Sequence, residues 1–466
     1  MNPVPFPLRL TPFEEYMLLD DQPAYPMSCF AKIKLRGRFD VSVFESALRQ
    51  ALEDHPLLTC SVTETDGQFY WQNTGKMPEI VRLPLDEERS FPVSSGIDLL
   101  REPSLKVTVC NNARPAEVDI EDQTNIIFEM HHAAGDAAGL ARFIEDILCH
   151  YACRKGFADA QREPVEPGLL IRRGTFGYHW SNILRTLPKQ IWGLTRAWMF
   201  LMNKVIPLTS QKPSDSLKPA AGYPAILCKN LTASETQSIL QRAKQLGITI
   251  NDFFLCAAFL AMKHWREQQP SLGESVKERG NLRIAVPTNL RTPADARMSA
   301  ANIVSMVFLD RKQGNIQPTP SFYQGIHWEM EHIKRCHLGW AFIHGLTLYR
   351  RVFGSFRKMM QPGRCWSTAT VTNLGRLFTD IPLPVREGYV QIDDSLELMG
   401  VETSPPVRSG TALGISVLTY EGCMTINLHY DSNVLTRAEA QFILDDSIHG
   451  FVFMPQTGKL AAPLLI

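Results

Sequence analysis

Residues 125–143, NIIFEMHHAAGDAAGLARF, end an apolar run on two adjacent histidines, His131 and His132, and place Asp136 four residues after the second. Those residue types suit proton transfer. A neutral imidazole, with an ordinary pKa near ~6.5, takes a proton from an alcohol or amine near neutrality and gives it back. In a strand, successive side chains point to opposite faces. Phe128, Met130 and His132 therefore share one face, and Ile127, Glu129 and His131 share the other. One histidine can look into a cavity while its neighbour packs into the fold. The AAGD turn is short, with Gly135 supplying conformational freedom for the reversal. Asp136 then opens a helix whose buried stripe is Ala137, Leu140, Ile144, Ile147 and Leu148. From that position Asp136 either orients the histidine or pairs with a cation elsewhere in the chain. No metal site is expected, because the two rings point apart and no HExxH or His-x-His companion is present.

The elements that must hold this motif are legible in outline. SCFAKIKLRG alternates like a strand, and DVSVFESALRQALED reads as an amphipathic helix capped by Asp40 and ended by His55-Pro56. His55 itself reads as structural. Strands are expected near 67–72 and 104–110, with a polar loop at 111–124 before NIIFEM. The second half opens with a strand and the helix ASETQSILQRAKQLG, then a long apolar helix from Thr249 to Trp265. NLRIAVPTNLR is a buried strand leaving the core at Pro287, followed by strands near 301–309, 367–374, 410–419 and 423–430 and a closing helix at 436–448. Helices and strands mix throughout, so the fold class is α/β or α+β. The chain divides into an N-terminal lobe at 1–175, a crossover with an amphipathic helix at 176–222, and a C-terminal lobe at 223–466.

Bulk composition narrows the function. The chain has 466 residues, too many for one compact core, so two lobes are expected. It carries 48 basic and 48 acidic side chains, so no basic footprint for nucleic acid appears. The opening MNPVPFPLRL lacks a basic n-region followed by an apolar stretch, and no secretory signal is expected. The ten cysteines are scattered, with Cys149 and Cys153 the only close pair, which fits reduced thiols in a cytoplasmic protein. Residues 178–201, YHWSNILRTLPKQIWGLTRAWMFL, repeat Trp and aliphatic residues at helical spacing among Arg and Lys. They could touch a membrane surface, line a lipid tunnel or pack into the core.

His131, His132, Ala133, Ala134, Gly135, Asp136 and Ala137 resemble the HHxxxDG signature of the acyltransferase superfamily related to chloramphenicol acetyltransferase, with Ala137 in place of the last glycine. That superfamily includes condensation domains of peptide synthetases, wax ester synthase/diacylglycerol acyltransferases, polyketide-associated acyltransferases and plant BAHD enzymes. Other stretches resemble its landmarks in order: LTPFEEYMLLDD, ALEDHPLLTCSV, AVPTNLRT with Arg291, ANIVSMV with Asn302 and with Ala301 for glycine, TVTNLGRL, and INLHYDSNVLTRAEAQFILDD. They run across nearly the whole chain and are most similar to the stand-alone alcohol and lipid acyltransferase branch. The plant DFGWG element is missing. The Asp-Ser-Leu string in DDSLELMG (393–400) matches a carrier-protein site by chance.

The resemblance implies two CoA-dependent-acyltransferase-like lobes in a V with the active-site tunnel between them. It implies His132 as general base, His131 as a packing and hydrogen-bonding neighbour, and Arg291 pairing with Asp136 across the lobes. Gly135, Thr372 and Asn373 become candidates for holding the oxyanion or the substrate. No tightly bound cofactor is implied; acyl-CoA or an acyl-carrier thioester is the co-substrate, and an alcohol, amine or lipid is the acceptor. Two alternatives stand beside this reading: a condensation enzyme working with a carrier protein in trans, and an inactive binding relative, suggested by Ala137 and Ala301.

Overall fold

The computed structural model describes residues 4–86, 90–111, 123–157, 160, 162–175, 200, 203–269, 280–360 and 364–452. The 178–201 segment, apart from Phe200, lies outside the described residues. The first half supplies β1 (Leu8–Arg9), α1 (Pro12–Asp20), β2 (Ser28–Gly37), α2 (Val41–Asp54), β3 (Cys60–Thr65), β4 (Gln68–Asn73), β5 (Ile80–Leu83), β6 (Leu105–Asn111), β7 (Gln123–His131) and α3 (Ala137–Arg154). The second half supplies β8 (Ile226–Asn230), α4 (Ala233–Leu246), α5 (Ile250–Glu267), β9 (Asn281–Asn289), β10 (Val304–Lys312), α6 (Pro320–Arg335) and α7 (Gly339–Phe353). It continues with β11 (Ala369–Arg376), β12 (Val385–Arg386), β13 (Tyr389–Asp393), β14 (Leu396–Ser404), β15 (Leu413–Tyr420), β16 (Cys423–Tyr430) and α8 (Arg437–Val452).

Three sheets result: β1-β4-β3, a six-stranded sheet β10-β9-β11-β15-β16-β8, and a seven-stranded sheet β12-β13-β14-β2-β7-β6-β5. The sheets do not follow the halves of the sequence. Residues 385–404 leave the second half and extend the seven-stranded sheet, with β14 antiparallel to β2 from Leu396 opposite Gly37 to Ser404 opposite Phe30. The Asp-Ser-Leu string is the turn of the β13–β14 hairpin, closed by Ser395 N donating to Asp393 Oδ1 at 2.7 Å. It therefore belongs to the seven-stranded sheet that β2 and β7 also build.

Local chemistry sets the elements that frame the site. Asp40 caps α2 as expected, its Oδ1 accepting from Ser42 N and Val43 N. Thr249 caps α5 in a capping box with Asp252. Along β7 the alternation separates two cores. Phe128 and Met130 join the large cluster with Leu140, Phe143 and Ile144 of α3, while Ile127 joins a satellite with Phe30, Tyr223 and Ile226. Each such aliphatic or aromatic side chain contributes roughly 1.5–3 kcal/mol on full burial. The large cluster also takes in Leu290, Met298, Ala300, Ala301 and Ile303, so the connection between β9 and β10 is packed into the core of the first half. No single described helix is long and apolar enough to cross a bilayer.

Candidate active site

His132 stands just past the end of β7. Its backbone N–H donates to Met27 O at 2.8 Å, which fixes the strand end before the turn. The ring Nδ1 lies 3.0 Å from Gly135 O. A carbonyl only accepts, so Nδ1 carries the proton and Nε2 keeps its lone pair. His132 retains partial solvent exposure, whereas His131 is fully buried. Burial pushes the His132 pKa below the ordinary histidine range, with its backbone contacts and the charge of Asp136 opposing this only in part. Burial thus favours the neutral ring, which the Gly135 carbonyl holds through Nδ1.

His131 turns to the opposite face, as strand alternation requires. Its Nδ1 accepts from Ala133 N at 3.2 Å, and its Nε2 lies 3.8 Å from Asp21 Oδ2. Gly135 differs from expectation in its reason: its φ is not in the left-handed region, and a Cβ there would sit 2.9 Å from Met130 Sδ. The glycine lets the Met130 side chain pack close against the turn and is not required for backbone freedom.

Asp136 caps α3, its Oδ1 accepting from Gly139 N at 2.9 Å. Its Oδ2 accepts from Arg291 Nη1 at 2.7 Å and from Ile303 N at 2.8 Å. Arg291 also donates to Ala301 O at 3.0 Å. Burial favours the neutral carboxyl, but the Arg291 guanidinium and the two backbone N–H groups outweigh it and hold the pKa of Asp136 below the ordinary carboxylate range. Asp136 therefore does not touch the imidazole. It clamps the β9–β10 connection onto the start of α3.

Asn302, flagged in the sequence but given no role there, is the residue that the clamp delivers. Its Nδ2 donates to His132 O at 2.7 Å and to Met17 Sδ at 2.9 Å, and its Oδ1 is buried without a hydrogen-bond partner among the described residues. A second anchor holds the same connection: His55 Nδ1 accepts from Ala300 N at 2.8 Å, and Nε2 donates to Asp146 Oδ2 at 3.0 Å. Sequence spacing could not reveal either contact, since both partners come from distant elements. Thr372 and Asn373 lie on β11 of the six-stranded sheet. Asn373 Oδ1 accepts from its neighbour Gly375 N at 2.9 Å, and no hydrogen bond joins either residue to His132 among the described residues. Ala137 takes the first helical position of α3, and Ala301 is fully buried; neither has a left-handed φ, so both alanines fit their backbones. Among the described residues no group of three or more His, Cys, Asp or Glu side chains is placed to hold a metal ion.

With this geometry in hand, comparison with known proteins gives a consistent picture of the fold. The trichothecene 15-O-acetyltransferase TRI3 of Fusarium sporotrichioides superposes with a TM-score of 0.66 at 13% identity, covering 95% of this chain and 94% of that one. The first condensation domain of the calcium-dependent antibiotic synthetase gives 0.66 at 13% identity over 96% and 95% of the two chains. The starter condensation domain of rhizomide synthetase RzmA, solved with C8-CoA and Leu-SNAC, gives 0.65 at 12% identity over 96% and 93%. The chain thus has the mixed α/β fold shared by condensation domains and this acetyltransferase. No family model matches the sequence. An uncharacterized Mycobacterium tuberculosis protein, Rv2305, is 23% identical over 309 residues, 64% of this chain and 65% of the relative. The match therefore spans just under two thirds of that relative's length. Cyclo-acetoacetyl-L-tryptophan synthase of Aspergillus oryzae is 27% identical over 245 residues, 49% of this chain but 6% of that much longer protein.

Proposed function

We propose that the protein moves an acyl group from a thioester, acyl-CoA or acyl-carrier, to a hydroxyl or amine acceptor, with His132 as general base. The observation that carries this reading is the Nδ1–H bond from His132 to Gly135 O, which leaves Nε2 as a free base on a partly exposed ring. In the proposed reaction Nε2 removes the acceptor proton as its oxygen or nitrogen attacks the thioester carbonyl carbon. The tetrahedral intermediate then collapses, the C–S bond breaks, and the leaving thiolate takes the proton from the imidazolium. Donors aimed at the oxyanion are each worth roughly 2.7–4 kcal/mol. Our candidates are the turn at Gly135 together with Thr372 and the free amide nitrogen of Asn373. A covalent acyl-cysteine is not needed. Burial pushes the Cys60 and Cys149 thiols up to about 12, which makes them poor nucleophiles.

The likeness of the fold to condensation domains of peptide synthetases favours a second form of the reading, in which the donor arrives on a carrier protein. The experiment for both is thiol release from a panel of acyl-CoA and acyl-carrier donors with alcohol, amine and lipid acceptors. His132→Ala is expected to release thiol about 10²–10⁴-fold more slowly than the parent. Release at the parental rate would remove the general-base assignment, and the donor that works decides between the two forms.

A further inference from the structure

Residues 332–379 contain eight Lys and Arg and no Asp or Glu, in a chain whose charges balance overall at 48 of each sign. α7 runs through the middle of this stretch. Gly339, Ile343 and Leu346 bury its inner side, and the helix packs on α1 and β10. Its outer side near the C-terminal end is apolar as well. Leu348 and Val352, one turn apart, are each 63% exposed, and Phe353 is 61% exposed. Single exposed aliphatics are ordinary, but three within six residues at a helix end form a patch.

Cations surround that patch. Arg351, Arg357 and Lys358 are exposed, and only Arg357 has a carboxylate, the less exposed Glu64 at 3.1 Å, among the described residues. The apolar side chains stand out from the surface instead of lining a groove, which a helical protein ligand would need.

We propose that this face docks the protein on an anionic phospholipid surface. Leu348, Val352 and Phe353 enter the headgroup–acyl boundary, and Arg351 and Lys358 lie over the phosphates. An apolar stripe flanked by cations is the chemistry that such an interface selects. The stretch itself carries no acid, and the exposed Glu64 beside it is paired with Arg357. The proposal is independent of the reaction assigned to His132.

The test is flotation of the full chain with phosphatidylcholine vesicles, with and without phosphatidylserine, at low and high salt. Binding is expected with phosphatidylserine only, and to weaken at high salt. Removing one cation near an anionic surface lowers partitioning about five-fold, so Arg351→Ala with Lys358→Ala is expected to lower it roughly 25-fold. Leu348→Ser with Val352→Ser tests the apolar part, and circular dichroism confirms that these surface variants fold. Absence of flotation at low salt would overturn the proposal, as would binding that neither double variant changes. Capture of an acidic carrier protein through the same four residues, without vesicle binding, would also overturn it.

Discussion

Arg291 and Asp136 lie 155 residues apart in sequence and meet at 2.7 Å. The contact joins the loop after β9 to the first turn of α3, and the carboxylate is 2% exposed against 18% for the arginine. Removing one partner of such a buried pair leaves the other unmatched, at a cost of about 3–5 kcal/mol. We expect Arg291→Ala and Asp136→Asn each to lose stability on that scale by urea unfolding. The double variant is expected to lose less than the sum, because the two changes delete one shared interaction. The pH dependence follows from the depressed pKa of Asp136. Its stabilising contribution is complete above the unfolded value of about 3.9 and is lost as pH falls through the lower folded value. Without the guanidinium the folded value rises toward the unfolded one, so the acid loss contributed by Asp136 in Arg291→Ala should be smaller and should end at higher pH. Parallel acid profiles for the two proteins would contradict the clamp.

A rate profile tests the imidazole itself. Burial lowers the His132 pKa, and the proposed base is active only when neutral. kcat/KM should therefore stay flat across neutrality and fall only as pH drops below about 6.5, the unperturbed value. An acid limb centred at or above that value would mean that another group titrates.

His55 offers a separate test of how the β9–β10 connection is held. Its two nitrogens join Ala300 N and Asp146 Oδ2 with the ring fully buried. His55→Leu keeps the bulk but leaves a buried N–H and a carboxylate oxygen without that partner, at roughly 1–3 kcal/mol each. If the network positions Asn302 and hence His132, kcat should fall while KM changes little. A variant that is destabilised with unchanged kcat would restrict His55 to the fold.

Gly139 should reverse a familiar trend. Replacing glycine by alanine inside a helix normally gains up to about 1 kcal/mol. Here a Cβ would meet Ala301 N at 3.1 Å, Ala300 Cα at 3.2 Å and Ala301 O at 3.2 Å, backbone atoms that the Asp136 and His55 contacts hold in place. Gly139→Ala is expected to lose roughly 1–3 kcal/mol by thermal or urea unfolding. A stabilised variant would show that the 300–303 segment yields easily.

Most local elements were readable because side-chain period reports local geometry: β7, the turn and α3 followed from alternation, small residues and an N-cap. The candidate site was half readable in the same way. Asp136 was placed by its position at a helix start, but its partner Arg291 came only from resemblance, since nothing local ties residues 155 apart. The Ala300 contact of His55 and the delivery of Asn302 to His132 O were invisible for the same reason. α6 and α7 passed unnoticed. So did the pairing of β14 with β2, because a strand's periodicity encodes which face is buried and not which strand lies beside it.

That pairing limits how such a protein could be recombined. A chimera cut at the midpoint of the sequence would strip β2 of one neighbour and expose a row of N–H and C=O groups along a strand whose side chains are mostly buried. Such an edge invites self-association. Any exchange of halves, by evolution or by an engineer, has to carry residues 385–404 along with the amino-terminal portion they complete.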